Sequence, residues 1–399
     1  MNLASPPSHV VIVGAGIVGL GHAVAALDAG HRVTVLEQDA SAVLASVRNF
    51  GHVGASVQAG ELAELARASL QIWESLAERA GVEARRSGTL VVARSETEAA
   101  LLDAFVAERR ESGARAELVT GGAAATMLHL DGAAAGAVRA GALLAEDVTA
   151  DPRTAVARIA AWVGAHERGE VRFRTAVHGV EAAGDGASVA TSRGRIPADR
   201  VVVAAGHLLG RLFPAIAEAG ELRECALQML RVRPPRPMGL GPAVLTGTSM
   251  LRYGAFGGPG LAALQAALRA ELAAARPELL EIDANVMLTQ QADGTLLVGD
   301  SHAVHDAAPP FLDERWSRIL HDEAAALLGA DRLDILERWQ GLYATSARQD
   351  ILREEPLPGV TAVSVTTGTG MTVGLGLGAR TVASWEGVEA RRAGDPAGR

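Results

Sequence analysis

Residues His9 to Glu37, HVVIVGAGIVGLGHAVAALDAGHRVTVLE, constrain this chain more than any other stretch. Val10 to Val13 form a short apolar run cut off by glycine, the pattern of a strand buried in a parallel sheet. Gly14, Gly16 and Gly19 follow in G-x-G-x-x-G order, an Ala-rich helical pattern runs to Ala29, and Gly30 closes it. A second strand-like run, Arg32 to Leu36, ends in the acid Glu37. Gly14 permits the tight turn, Gly16 lets the backbone approach a pyrophosphate, and Gly19 lets the helix sit close on the strands. The helix start, with Ile17 and Val18 in its first turn, offers free N–H groups and partial positive charge to phosphate. Glu37, with Gln38 beside it, comes about twenty residues on, where a carboxylate meets ribose hydroxyls. One glycine triplet means little in a chain with 45 glycines. Strand, glycines, helix, strand and acid in register indicate a bound dinucleotide.

At 399 residues the chain has room for two domains. A hydrophobic fraction of 49% with 21% charged residues is that of a globular protein rather than a disordered one. The net charge of −9 disfavours a nucleic-acid partner, though not a local basic pocket. One cysteine, Cys225, excludes an intrachain disulfide and a cysteine-built metal site; it reads as a small buried residue, and no metal is expected. The opening MNLASPPSH lacks the basic and apolar regions of a signal peptide, and no uninterrupted run of some eighteen apolar residues follows. The expectation is a cytoplasmic protein without membrane insertion.

Further along, Ser46, Arg48, Asn49 and Gly51 lie in a loop that would close over the cofactor, and His52 follows. Thr89 to Ala93 reads as a strand, Gly121 to Ala140 as an irregular excursion, and Asp151-Pro152 as the cap of a helix. A meander is expected over Val171–Arg174, Ala176–Glu181, Ser188–Ser192 and Arg195–Pro197, leading to a buried strand that ends in Ala204-Ala205-Gly206. Leu227–Val232, Ala243–Thr246, Met250–Phe256, Val286–Gln291 and Thr295–Gly299 read as antiparallel strands, with QADG (291–294) as a hairpin turn. Leu333 to Leu342 is expected to return to the first domain. Val360–Val365 then meets a glycine-rich turn, Thr366 to Gly370, and a helix beginning near Met371. That second helix N-terminus suits something negative. A frayed tail is expected after about Gly387.

The opening fingerprint, the strand ending in Ala-Ala-Gly and the late glycine turn together resemble the FAD-dependent amine and amino-acid oxidoreductases of the D-amino-acid oxidase type, which include glycine and sarcosine oxidases. The resemblance spans nearly the whole chain. Ala45–Gly51, Ser87–Arg94, Leu227–Arg231, Gly299–His302 and Arg338–Tyr343 look like the branch associated with phosphonate catabolism, which acts on 2-aminoethylphosphonate-like amines. The resemblance implies an α/β (α+β) fold, a Rossmann-like FAD-binding domain (1–86, 141–215 and 330–399) with an inserted antiparallel-sheet substrate domain (87–140 and 216–329). It implies non-covalent FAD held by Gly14, Gly16, Ile17, Val18, Gly19, Glu37, Gln38, Ser46, Arg48, Asn49, Gly51, Val177, Ala205, Gly206, Gly370, Met371 and Thr372.

One departure bears on substrate. Amino-acid oxidising members usually carry Trp-Ala-Gly-Leu-Arg-Pro, whose arginine grips the α-carboxylate; here the motif is Trp339-Gln-Gly-Leu-Tyr343-Ala. Any substrate anion must be met elsewhere, and Gln228, Arg231, Arg252, His302, Ser346 and Arg348 are the candidates. His52, Tyr343 and Tyr253 are the candidates for orienting the amine or moving its proton. The expected reaction passes a hydride from the carbon beside nitrogen to the flavin. The imine then hydrolyses to an aldehyde plus ammonia or methylamine, with oxygen or another acceptor reoxidising the cofactor. The alternatives are a glycine-, sarcosine- or D-amino-acid-type oxidase holding a carboxylate, an NAD-dependent dehydrogenase, and a non-catalytic flavin-binding protein.

Overall fold

The computed structural model describes residues 8–234 and 236–394. Its first sheet has six strands in the order 351–357, 360–365, 200–203, 9–13, 32–36 and 169–172. Neighbours are parallel except the outermost pair, 351–357 with 360–365. The opening strand is therefore central, and Val10, Val11 and Ile12 are wholly buried, as its unbroken apolar run requires. The C-terminal ends of the neighbouring strands at Leu36 and Val203 flank the glycine turn after Val13, where open parallel sheets bind ligands.

The first helix, Ile17–Asp28, lies against the last, Gly370–Gly394. The two approach closely because small residues face each other. A Cβ on Gly21 would lie 2.5 Å from the Gly374 carbonyl oxygen, and one on Gly378 would lie 2.3 Å from the Gly21 carbonyl carbon. Gly378→Val should therefore push the helices apart at a cost of about 1–3 kcal/mol or more, as in other overpacked cores. A melting temperature equal to that of the unaltered protein would contradict this close crossing.

The second large sheet has nine strands and is mostly antiparallel, in the order 303–305, 223–233, 296–299, 287–290, 243–245, 89–93, 140–144 and 116–120, with 334–345 also paired to 223–233. The expected hairpin joins 287–290 to 296–299: Gly294 has φ +81 and the Gln291 amide donates to the Thr295 carbonyl. Strands 140–144 and 334–345 belong to this sheet, beyond the boundaries expected at 141 and 330. The second pairs antiparallel with 223–233 over its whole length, from Thr345 opposite Arg223 to Asp334 opposite Arg233.

Four local expectations change. Met250–Phe256 is not a strand but a helix, Gly247–Arg252, followed by a 3-10 turn at Gly254–Phe256. The Thr246 amide donates to Ser249 Oγ at its start, and Met250, Ala255 and Phe256 are buried by helical spacing instead of alternation. Residues 121–140 hold two short helices, Gly121–Met127 and Gly132–Gly136. Gly169–Arg172 leaves the meander to become the parallel edge of the first sheet. The last helix continues to Gly394, past the expected fraying, and residues 395–399 lie outside those described. Asp151 does cap the helix at Pro152, accepting from the Arg153 amide at 2.9 Å. No described helix is long and apolar enough to cross a membrane.

Candidate active site

The glycine turn takes the shape its residue types allow. Gly14 has φ +103, and a Cβ there would lie 2.6 Å from the Ala204 carbonyl oxygen, so this turn accepts only glycine without strain. A Cβ on Gly19 would lie 2.0 Å from the Gly14 carbonyl oxygen, which is the close helix–turn contact expected of the third glycine. Gly16 has ordinary extended angles and only Ser46 Oγ within reach of a Cβ, at 3.1 Å. Glu37 is buried; its carboxylate accepts from the Ala15 amide at 3.0 Å and the Asp39 amide at 3.1 Å, with lone pairs left for hydroxyl donors.

From this turn a cavity of about 500 Å³ runs across the end of the first sheet. Gly14, Gly16, Ile17 and Val18 line it beside the first helix start, Glu37 and Gln38 one flank, and Val177 another. Ser46, Asn49, Ala205 and Gly206 line it further on, and Gly370 and Met371 bring in the start of the last helix. Two helix N-termini, whose leading amides lack intrahelical partners, thus meet one elongated cavity. An adenine dinucleotide fits this arrangement: a glycine-lined turn for pyrophosphate, a carboxylate for ribose, and a second helix start for the ring system.

A second cavity, about 80 Å³, shares Asn49, Tyr343, Gly368 and Met371 with the first. Its other lining residues include His52, Arg252, Tyr253, Asp300, His302 and Thr372. Arg252 donates to Asp283 at 3.1 Å and to the Tyr343 hydroxyl at 2.9 Å. Burial opposes its charge, but Tyr343, Asp300 and Asp283 outweigh that and hold its pKa above the usual value. Burial pushes the Tyr253 phenol up to about 12 and Tyr343 well above its ordinary value, so both hydroxyls stay protonated. Burial, reinforced by Arg252, keeps His302 neutral. His52 is tethered: Thr89 gives its proton to Asp147 at 2.7 Å, so the His52 Nε2, 2.7 Å from Thr89 Oγ1, must be the donor.

The family described as FAD dependent oxidoreductase matches residues 9–385. The chain belongs to it. No curated protein matches the sequence. Solved structures similar to this oxidoreductase include glycine oxidase from Geobacillus kaustophilus (TM-score 0.75, 19% identity, 95% of this chain and 94% of that one). Glycine oxidase from Bacillus cereus is similar at TM-score 0.76 and 18% identity, covering 95% of each chain. L-alpha-glycerophosphate oxidase from Mycoplasma pneumoniae, solved with FAD bound, has TM-score 0.69 and 16% identity over 95% of each. At these identities the likeness is one of fold. The family makes FAD the dinucleotide, so the NAD-dependent alternative falls.

Within this oxidoreductase several of the expected site residues make contacts within the protein itself. Gly19 lies beneath the turn, outside both cavity linings. Gly51 is there for backbone packing: at φ +72, a Cβ would lie 1.7 Å from the Ala150 carbonyl oxygen. Arg48 donates to the Gln340 carbonyl at 3.1 Å and so ties its loop to strand 334–345. Asn49 folds the same loop, donating to the Ala45 and Ser46 carbonyls and accepting from the Gly51 amide. Four expected substrate contacts lie away from both cavities. Gln228 sits 3.0 Å from the Ser317 hydroxyl, Arg231 pairs with Glu337 and Asp293, Ser346 donates to the Gly220 carbonyl, and Arg348 donates to the Ala219 carbonyl beside Glu221.

Arg252, His302, Tyr253, Tyr343 and His52 do come together. Cys225 is nearer than its place in the sequence suggests, opposite Tyr343 in the strand pair, though buried and outside both linings. Sequence reasoning missed Asn285 and Asp300 as residues of the small cavity, and His207 and Arg211 as residues of the large one. Asp300 stood in plain view within Gly299–His302; what was missing was any local pattern announcing its burial.

Proposed function

We propose that this oxidoreductase oxidises the C–N bond of a small amine carrying an anionic group, 2-aminoethylphosphonate or its N-methyl or hydroxylated relative. The observation that supports it is Arg252, whose guanidinium reaches the tip of Tyr343 in the small cavity abutting the dinucleotide cavity. FAD, bound without a covalent link, supplies the hydride acceptor for the carbon next to nitrogen. The chain's residues bind and orient the substrate. Arg252 and the protonated Tyr343 hydroxyl hold the anion, Gly368 gives the Tyr343 ring room (a Cβ would lie 3.1 Å from its Cζ), and His52, fixed by Thr89, walls the amine side. The imine hydrolyses to an aldehyde plus ammonia or methylamine, and oxygen or another acceptor completes the cycle.

A carboxylate substrate is the second reading, because Arg252 is an arginine relocated to where Tyr343 ends. Its fork is split, one arm to Asp283 and the other to Tyr343. A phosphonate offers this arm and the hydroxyl a third acceptor oxygen and more negative charge than a carboxylate does. Similar structures, a glycine oxidase and an iminodiacetate oxidase, keep the general class at amines. Turnover of 2-aminoethylphosphonate should yield aldehyde and ammonia in equal amounts, and its N-methyl form should yield methylamine instead. Glyoxylate from glycine with no aldehyde from either phosphonate would reverse the choice.

A further inference from the structure

Asp300 is the one carboxylate among the residues lining the small cavity, and it is only 5% exposed. Its Oδ1 is buried without a hydrogen-bond partner among the described residues. Its Oδ2 lies 3.4 Å from His302 Nε2. His302 Nδ1 lies 2.9 Å from the Asp283 carbonyl, which can only accept, so Nδ1 carries the ring proton and Nε2 presents a lone pair to Asp300. An unsatisfied buried carboxyl oxygen costs about 1–3 kcal/mol unless something donates to it. The binding scheme above leaves this oxygen unused. A primary or secondary amine enters as an ammonium ion, yet losing a hydride from the adjacent carbon needs the nitrogen lone pair free.

We propose that Asp300 receives the substrate's ammonium group at Oδ1 and takes one proton from it, leaving the neutral amine in the cavity. This rests on the amine reading of the function. In the step one N–H bond breaks, its electron pair stays on nitrogen, and the proton forms an O–H bond at Asp300 Oδ1; it passes to water when product leaves. Burial pushes this carboxyl up to about 7, with Arg252 and Asn285 opposing the rise. The groups facing it are Arg252 and Tyr253 from the end of helix 247–252, Asp283 and Asn285 from the loop before strand 287–290, His302 after strand 296–299, and Tyr343 and Cys225 from the paired long strands. Above about pH 7 Asp300 is ionised and accepts the proton; below it, the site is already filled.

The test uses the flavin-loaded protein, its Asp300→Asn and Asp300→Glu variants, anaerobic reduction by 2-aminoethylphosphonate and by sarcosine from pH 6 to 9, and flavin-perturbation binding of ethylphosphonate, which lacks the amine. In the unaltered protein, reduction efficiency should fall about tenfold per pH unit below pH ~7. Asp300→Asn should lose the break near pH ~7, its efficiency instead rising through pH ~9 with the free amine in solution, and should bind 2-aminoethylphosphonate at least about tenfold more weakly, while ethylphosphonate binding stays within about twofold. Asp300→Glu should retain the limb. An Asp300→Asn protein with the original limb and affinity overturns the proposal. Reduction of the unaltered protein by sarcosine alone sinks the phosphonate reading, and the sarcosine profile then decides Asp300. A flavin that neither amine reduces removes both.

Discussion

Arg252→Met is expected to raise the Michaelis constant for 2-aminoethylphosphonate about a hundredfold, the worth of ~2.7 kcal/mol of charge-assisted hydrogen bonding. For an uncharged amine of the same length, the change should stay within about threefold. The contrast follows from position: Arg252 carries the guanidinium in the small cavity, and Tyr343, which it touches, keeps its proton. Arg252→Lys should fall between, since an ammonium keeps charge but not the fork. The comparison belongs near pH 9. Arg252 is the leading influence holding the Asp300 pKa down, so its loss pushes that carboxyl further up and moves the acidic limb to higher pH. Equal effects on both amines would end the case for an anion grip.

Gly16→Val is expected to yield a folded protein that purifies without flavin, with affinity for FAD reduced by about two orders of magnitude or more. Gly16 has extended backbone angles that valine adopts readily, and a Cβ there meets only Ser46 Oγ within 4 Å. The fold therefore tolerates a side chain that the cavity does not, because Gly16 lines it where the first helix begins. This separates cofactor loss from unfolding, which Gly14 or Gly19 variants cannot do, since both collide with backbone. Flavin absorbance per protein, set against circular dichroism, reads the outcome. A fully yellow Gly16→Val protein would place the pyrophosphate elsewhere.

What was legible in the sequence was what short-range spacing encodes. His9 to Glu37 is a strand, turn, helix and strand within one local unit, and the structure adds only which backbone atom each glycine spares. The glycine turn before Met371 was readable for the same reason. The substrate pocket was not, because its polarity comes from pairing between distant strands. Arg231 and Arg348 looked as available as Arg252 until the fold brought Glu337, Asp293 and Glu221 beside them. Arg252 is readable as a charge, but the helix that aims it reads as a strand, since Met250 and Phe256 are apolar in either form. Asp300 owes its character to burial, to Arg252 and to Asn285, none of which the run Gly299–His302 advertises.

Anaerobic mixing of the flavin-loaded protein with 2-aminoethylphosphonate, its N-methyl form, glycine and sarcosine tests the central claim most directly. The account expects both phosphonates to bleach the flavin, at least about tenfold more efficiently than either carboxylate, as an anion grip split between Arg252 and Tyr343 implies. Bleaching by glycine or sarcosine at equal or greater efficiency, or by none of the four, would contradict it.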